Sequence, residues 1–210
     1  MDAVRVLCLR HGESLDNAAG VLSSRPPGAP LSETGRAQAE RAVPALRRAG
    51  VTLVYSGPAC RAMQTAKIAA AGLGVPTGVL GDLTEYGLGE CEGTTDRAAR
   101  ARCAAVMRAW IVDGDLDSRL PGGESGRQIV DRFTRALATI ADRHPGQTIA
   151  VVSHVGTLSV GLMGLCEGLG PDQVWGQILP HAVPFLVDFD GTGWRCSTWP
   201  GVRPAGVAAV

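Results

Sequence analysis

The sequence predicts a three-layer α/β/α sandwich around a mainly parallel sheet. Three observations carry this. Short apolar runs rich in β-branched residues alternate with longer segments of helical period. Gly and Pro punctuate the junctions between them. No internal repeat or linker divides the 210 residues, which are read as one domain over 1–210. Strands that alternate with helices give a sheet covered on both faces.

Val4 to Leu9 is the first buried strand, and it breaks at Arg10-His11-Gly12. Val21 to Pro30, with Pro26, Pro27, Gly28 and Pro30, is an exposed loop. Ser32 is the N-cap of an Ala-rich amphipathic helix reaching about Gly50, with Pro44 as an irregularity inside it. Val51 to Ser56 is the second strand; Gly57-Pro58 ends it, and the helix that follows carries Arg61 in its first turn. Val75 to Leu83 is extended, and Tyr86 to Thr94 is irregular and rich in Gly. Thr95 to Asp113 is helical. Leu120 to Ser125 is a turn into a long helix, Ser125 to His144, stopped by Pro145-Gly146. Thr148 to Val152 repeats the opening pattern, an apolar strand ending in Ser153-His154 with Gly156 close behind, and a helix from Thr157 to Leu169 follows. Strands Val183 to Asp190 and Trp194 to Trp199 turn at residues 190–193 and close the sheet, and Gly201 to Val210 is a loose tail.

Twenty Lys and Arg balance twenty Asp and Glu, so the whole molecule is not built to attract nucleic acid or a membrane surface. No apolar run approaches the ~20 residues that span a bilayer. The opening MDAVRVL lacks a signal-peptide pattern, and the expected location is the cytoplasm. Cys8, Cys60, Cys91, Cys103, Cys166 and Cys196 are scattered without metal-ligand spacing and read as reduced structural thiols. Oligomeric state is left open, a homodimer included.

Reactive side chains collect where parallel strands end. Those C-terminal ends share one face, where open α/β sheets place their ligands. Arg10, His11 and His154 stand at such ends, Arg61 just beyond the second strand, and Glu85 in a loop. Guanidinium forks bind phosphate oxygens bidentately. A neutral imidazole is a competent nucleophile toward phosphorus, and a second His can donate to the same group. Two Arg and a His neutralise the equatorial oxygens of a transferring phosphoryl group without Mg²⁺. The other histidines read more simply: His144 caps a helix C-terminus, and His181, between Pro180 and Pro184, lies in a loop near the pocket without a substrate role. Trp110, Trp175, Trp194 and Trp199 read as packing residues. Arg97, Arg100, Arg102 and Arg108 form a solvated helix face, one or two of which reach substrate if that helix covers the pocket.

Five ordered segments together resemble the histidine phosphatase superfamily, also called the phosphoglycerate mutase-like or RHG family. Arg10-His11-Gly12-Glu13 with Asn17 is similar to its RHGE…N signature. Leu31-Ser32, Gly35 and Gln38-Ala39 resemble its first helix start, and Ser56 to Ala66 its SSPLxRAxQTA segment, with Gly57 and Ala59 in place of the usual residues. Leu83, Glu85, Gly87 and Glu92-Gly93 resemble its acid loop, and Val152-Ser153-His154 its second-histidine strand end, followed here by Val155 where Gly is common. The resemblance runs from residue 4 to about residue 160. It implies that His11 attacks phosphorus and becomes phosphohistidine. It also implies that Arg10, Asn17, Arg61 and His154 hold the phosphoryl oxygens. Glu85 would protonate the leaving oxygen and then take a proton from the attacking water. No metal or other cofactor is implied, and Glu13 is assigned no role.

The expected partner is a small phosphorylated metabolite. The short EYGLGECEG loop and the LPGGES turn are closer to the phosphatase branch, so a metal-independent phosphomonoesterase of the histidine acid phosphatase type is the first reading. A cofactor-dependent phosphoglycerate mutase is the alternative. A non-catalytic phospho-ligand binding protein is a third reading, disfavoured because His11 and Glu85 are both present.

Overall fold

The structure, a computed structural model, describes residues 3–196 and 198–201. Six strands form one sheet: β1 (Val4–Arg10), β2 (Leu53–Ser56), β3 (Thr77–Val79), β4 (Thr148–Ser153), β5 (Phe185–Phe189) and β6 (Trp194–Cys196), in the order β3-β2-β4-β1-β5-β6. Strands β1 to β4 are mutually parallel where they pair, while β5 is antiparallel to β1 and β6 to β5. The mainly parallel sandwich read from the sequence is the observed architecture.

The helices are α1 (Leu15–Ala19), α2 (Glu33–Arg48), α3 (Cys60–Leu73), α4 (Arg97–Ile111), α5 (Gly126–Arg143), α6 (Val155–Leu165) and α7 (Pro171–Val174). Side chains alternate across a strand, so β1 feeds two cores. Leu7 and Leu9 face the small residues Ala42, Ala62, Ala66 and Ala69 of α2 and α3. Val6 and Cys8 face the other way, into a core with Ile129, Phe133, Leu137 and Ile140 of α5 and Leu158 and Leu162 of α6. Ala-rich helices let α2 and α3 lie close to the sheet, and the bulkier stripe of α5 fills the opposite side.

Several boundaries differ from expectation. A capping box closes Ser14 and Asn17 on each other and starts α1, a helix that the sequence reading passed over. Pro44 does not interrupt α2; it is exposed, so the carbonyl it leaves unpaired can be hydrated. Within Val75 to Leu83 only Thr77–Val79 is strand, and Gly81–Leu83 is a 3₁₀ turn. Helix α6 begins at Val155, two residues before the expected start, and ends at Leu165. Helix α7 also went unread, and β6 is described over Trp194–Cys196, with residues 198–200 outside any strand. Of the expected tail, residues 202–210 lie outside the described residues. All six cysteines are free thiols. Among the described residues no helix is long and apolar enough to cross a membrane.

Candidate active site

Pairing of β1 with β4 brings Arg10 opposite Ser153, which sets His11 and His154 side by side beyond the strand ends. The His11 amide donates to the Ser153 carbonyl at 3.0 Å, and the two imidazole centroids are 5.0 Å apart. Both rings are buried. Arg61, buried at the start of α3, joins them: its Nε donates to His11 Nε2 at 3.1 Å and its Nη2 to His154 Nδ1 at 3.2 Å. Gly28, at φ +59°, leaves room for this guanidinium, since a Cβ there would lie 2.8 Å from Arg61 Nη1.

These partners assign the tautomers. A carbonyl only accepts, so His11 Nδ1, 2.7 Å from the Gly12 oxygen, carries the proton and Nε2 is the bare nitrogen. A guanidinium only donates, so His154 accepts at Nδ1 and carries its proton on Nε2. That Nε2, Arg10 Nε and Arg61 Nη1 are buried donors with no protein partner among the described residues. Three such donors around a bare imidazole nitrogen form a cradle for an oxyanion.

Electrostatics keep both rings neutral. Burial, then the neighbouring His154, Arg61 and Arg10, push the His11 pKa well below the usual imidazole value, against the opposing pull of its bond to the Gly12 carbonyl. Burial followed by Arg61, Arg10 and Arg132 does the same to His154. Burial also lowers Arg10 to about 10, with Glu85 opposing, and lowers Arg61.

A cavity of about 280 Å³ opens over the cradle, lined by Arg10, His11, Arg61 and Glu85 and, at its wall, Asn17 and Arg100. Glu85 caps the N-terminus of α6 from outside, where the N-cap residue His154 makes no capping bond itself. Its Oε1 accepts from the amides of Tyr86 and Thr157 at 3.0 and 2.9 Å and from Thr157 Oγ1 at 3.2 Å. Its Oε2 accepts from the Gly156 amide at 3.2 Å, and a Cβ on Gly156 would lie 2.3 Å from the Tyr86 ring. Val155, in place of Gly, sits at the cavity wall as the first residue of α6.

The expected site residues therefore converge, with some reassignments. Asn17 lines the cavity, but its Oδ1 accepts from the Ser14 amide and hydroxyl, which leaves only its amide protons for a ligand. Arg10 also spends Nη1 on the Leu179 carbonyl. His181 donates from Nδ1 to the His11 carbonyl at 2.8 Å, and burial with Arg10 lowers it to about 4; it braces the His11 backbone. His144 is the C-cap residue of α5, yet its ring bonds Tyr55 Oη at 3.0 Å instead of helix carbonyls, because β2 brings that hydroxyl within reach. Of the α4 arginines, Arg100 reaches the cavity and donates to the Gly20 carbonyl, while Arg102 pairs with Glu90 and Arg108 with Asp113. Trp110 and Trp194 pack in the core. Among the described residues no three His, Cys, Asp or Glu side chains come together as a metal-ligand group.

Gln38, Gln64, Thr65 and Glu13 stand in the motif segments without a role read from sequence, and the structure shows that they hold the loops. Gln38 accepts the Glu13 amide, Gln64 the Leu31 amide and Thr65 the Gly12 amide, at 2.8, 2.8 and 3.0 Å. Glu13 accepts from the Ser32 hydroxyl at 2.7 Å. Arg132 was also missed, and its signal was an Arg on the apolar stripe of α5, between Ile129 and Phe133.

A model described as the histidine phosphatase superfamily (branch 1) matches residues 6–200. The phosphoglycerate mutase-like protein 4 of Arabidopsis thaliana is 32% identical over 207 residues, covering 96% of this chain and 87% of its own. The adenosylcobalamin/α-ribazole phosphatase of Salmonella typhimurium is 32% identical over 161 residues, covering 75% of this chain and 77% of its own. A bifunctional protein of Mycobacterium tuberculosis is 37% identical over 191 residues, 90% of this chain, which spans about half (51%) of that relative's length. Among solved structures, a mycobacterial glucosyl-3-phosphoglycerate phosphatase superposes with TM-score 0.79 at 23% identity, covering 95% of this chain and all (100%) of that one.

Proposed function

The chain belongs to the histidine phosphatase superfamily, and from that premise we propose that it hydrolyses a small phosphorylated metabolite through a phosphohistidine on His11. One observation carries the reading: the unprotonated Nε2 of His11 lies beside three buried donors that have no protein partner among the described residues, on Arg10, Arg61 and His154. A phosphoryl group supplies the acceptor oxygens these donors lack.

In the first half-reaction Arg61 Nε gives up its bond to His11 Nε2, and the freed lone pair forms a bond to phosphorus as the bond to the alcohol oxygen breaks. Arg10, Arg61 and His154 hold the non-bridging oxygens, and Glu85 gives its proton to the departing oxygen. The phosphorylated ring is cationic, and its Nδ1–H bond to the Gly12 carbonyl stabilises that charge. In the second half-reaction the Glu85 carboxylate takes a proton from water, whose oxygen attacks phosphorus. The N–P bond breaks, returning the lone pair to Nε2.

Hydrolysis is favoured over phosphoryl transfer between metabolites by the short Glu85-Tyr86-Gly87 loop and by likeness to a phosphatase acting on α-ribazole. Arg100 at the cavity wall suits an alcohol moiety that carries a negative charge of its own. The purified chain is expected to release phosphate from p-nitrophenyl phosphate in EDTA, and His11→Ala to abolish release. Persistent turnover by that variant would refute the nucleophile; transfer to an acceptor without phosphate release would make the chain a mutase.

A further inference from the structure

Beside the second core lies a charge pair that the chemistry above does not use, with Arg132 buried and Glu124 partly exposed. Arg132 of α5 donates from Nε to Glu124 Oε1 at 2.7 Å and from Nη2 to Oε2 at 3.0 Å. Its side chain is 8% exposed and that of Glu124 20%, so the pair is more enclosed than an ordinary surface ion pair. Burying both charges is costly, so stability alone is a weak reason for the pair.

The remaining bonds all converge on one short segment. Arg132 Nη1 donates to the carbonyls of Asp82 and Thr84 at 2.7 and 2.8 Å. Its Nη2 donates to Thr157 Oγ1 at 3.1 Å, and that hydroxyl lies 2.7 Å from the Thr84 carbonyl and 3.2 Å from Glu85 Oε1. On the other flank, Glu124 Oε2 accepts the Gly87 amide at 3.3 Å, and the Glu124 amide donates to the Gly87 carbonyl at 3.1 Å. The ion pair therefore grips the backbone one residue before Glu85 and two residues after it, and touches its carboxylate through Thr157.

We propose that Arg132 and Glu124 are positioning residues for the proton donor: a clamp that sets the Glu85 carboxyl group against the leaving oxygen. Neither residue lines the cavity over the phosphoryl cradle; Glu124 lines a separate cavity of about 380 Å³ that it shares with Glu85. The inference rests on Glu85 being the acid. Loss of the clamp should act on leaving-group protonation and spare phosphoryl binding. Phenoxide needs a proton as it departs, whereas p-nitrophenoxide leaves without one, so the two esters separate the two effects.

The experiment compares kcat/KM for phenyl phosphate and p-nitrophenyl phosphate in Arg132→Met, Thr157→Val, Thr157→Ser and Glu85→Gln. Arg132→Met and Thr157→Val are expected to lower phenyl phosphate hydrolysis by about 30-fold or more, a part of the roughly 10²–10⁴-fold that general acid catalysis contributes, and p-nitrophenyl phosphate hydrolysis by about threefold or less. Thr157→Ser, which keeps the hydroxyl, should restore the wild-type ratio. Equal losses on both esters in a folded clamp variant would overturn the proposal. If Arg132→Met does not fold, Glu124→Gln, which removes the carboxylate charge of the pair and keeps its shape, decides by the same criterion. Thr157 touches Glu85 directly, so its variants do not isolate the ion pair. Glu85→Gln separates the two readings: equal losses there would remove Glu85 as the acid, whereas a selective loss there beside equal losses in the clamp variants removes only the clamp.

Discussion

His11 can attack phosphorus only as a neutral ring, and its surroundings hold it so: burial first, then His154 and the guanidinium groups of Arg61 and Arg10. The same forces act on His154. Both groups titrate lower in the folded chain than in the unfolded chain, where the value is about 6.5. Above that pH neither state is protonated and the fold keeps its full stability. Below it the unfolded chain takes up protons that the folded chain refuses, so stability falls as pH falls toward the folded values. Each such histidine contributes a slope of about 1.4 kcal/mol per pH unit in that window. Urea unfolding between pH 6.5 and 5 should therefore show falling stability, with a shallower slope in His154→Gln. An unchanged slope in the variant would show that His154 does not enter the fold neutral.

At the scale of elements, α4 and α6 divide the work around the cavity. The N-terminus of α6 fixes Glu85 through two backbone amides and the Thr157 hydroxyl. Helix α4 contributes Arg100, which is exposed yet lines the cavity and ties α4 to the Gly20 carbonyl at the end of α1. An exposed guanidinium is little needed for folding, so its removal should register in substrate choice. Arg100→Ala is expected to raise KM about tenfold for a phosphate ester that bears a second acidic group. The effect on p-nitrophenyl phosphate, which has no such group, should be small. Equal effects on both esters would sink the assignment of Arg100 to the alcohol moiety.

The whole molecule works as a frame that holds cations together against their repulsion. Burial lowers the pKa of both guanidinium groups, and Arg61 lowers that of Arg10 further, while Glu85 is the leading charge that opposes the shift in each. An anion bound there should therefore stabilise the fold. Orthophosphate at a hundred times its Kd is expected to add about 2.7 kcal/mol, read as a Tm rise of several degrees. Arg61→Ala should lose the shift, and a retained shift would place the anion elsewhere. Much of this frame was legible beforehand. Val4 to Leu9 and Thr148 to Val152 read as parallel strands because their apolar runs are continuous, and their polar ends named His11 and His154. Arg61 and Glu85 were legible through resemblance to a known motif set. Helix α1 was not, since five residues give little periodicity and its start depends on a capping pair, Ser14 and Asn17.

By itself the sequence determined the alternation of strands and helices, the face on which strand ends meet and the residue types delivered there, because those follow from local period and chain order. Only the tertiary structure decided which atoms act. The tautomer of His11 depends on Gly12 and Arg61, and the bracing of Glu85 depends on Arg132, Glu124 and Thr157. Hydrogen bonds are directional and act over about 3 Å, so partners drawn from distant segments exist only once packing has brought those segments together.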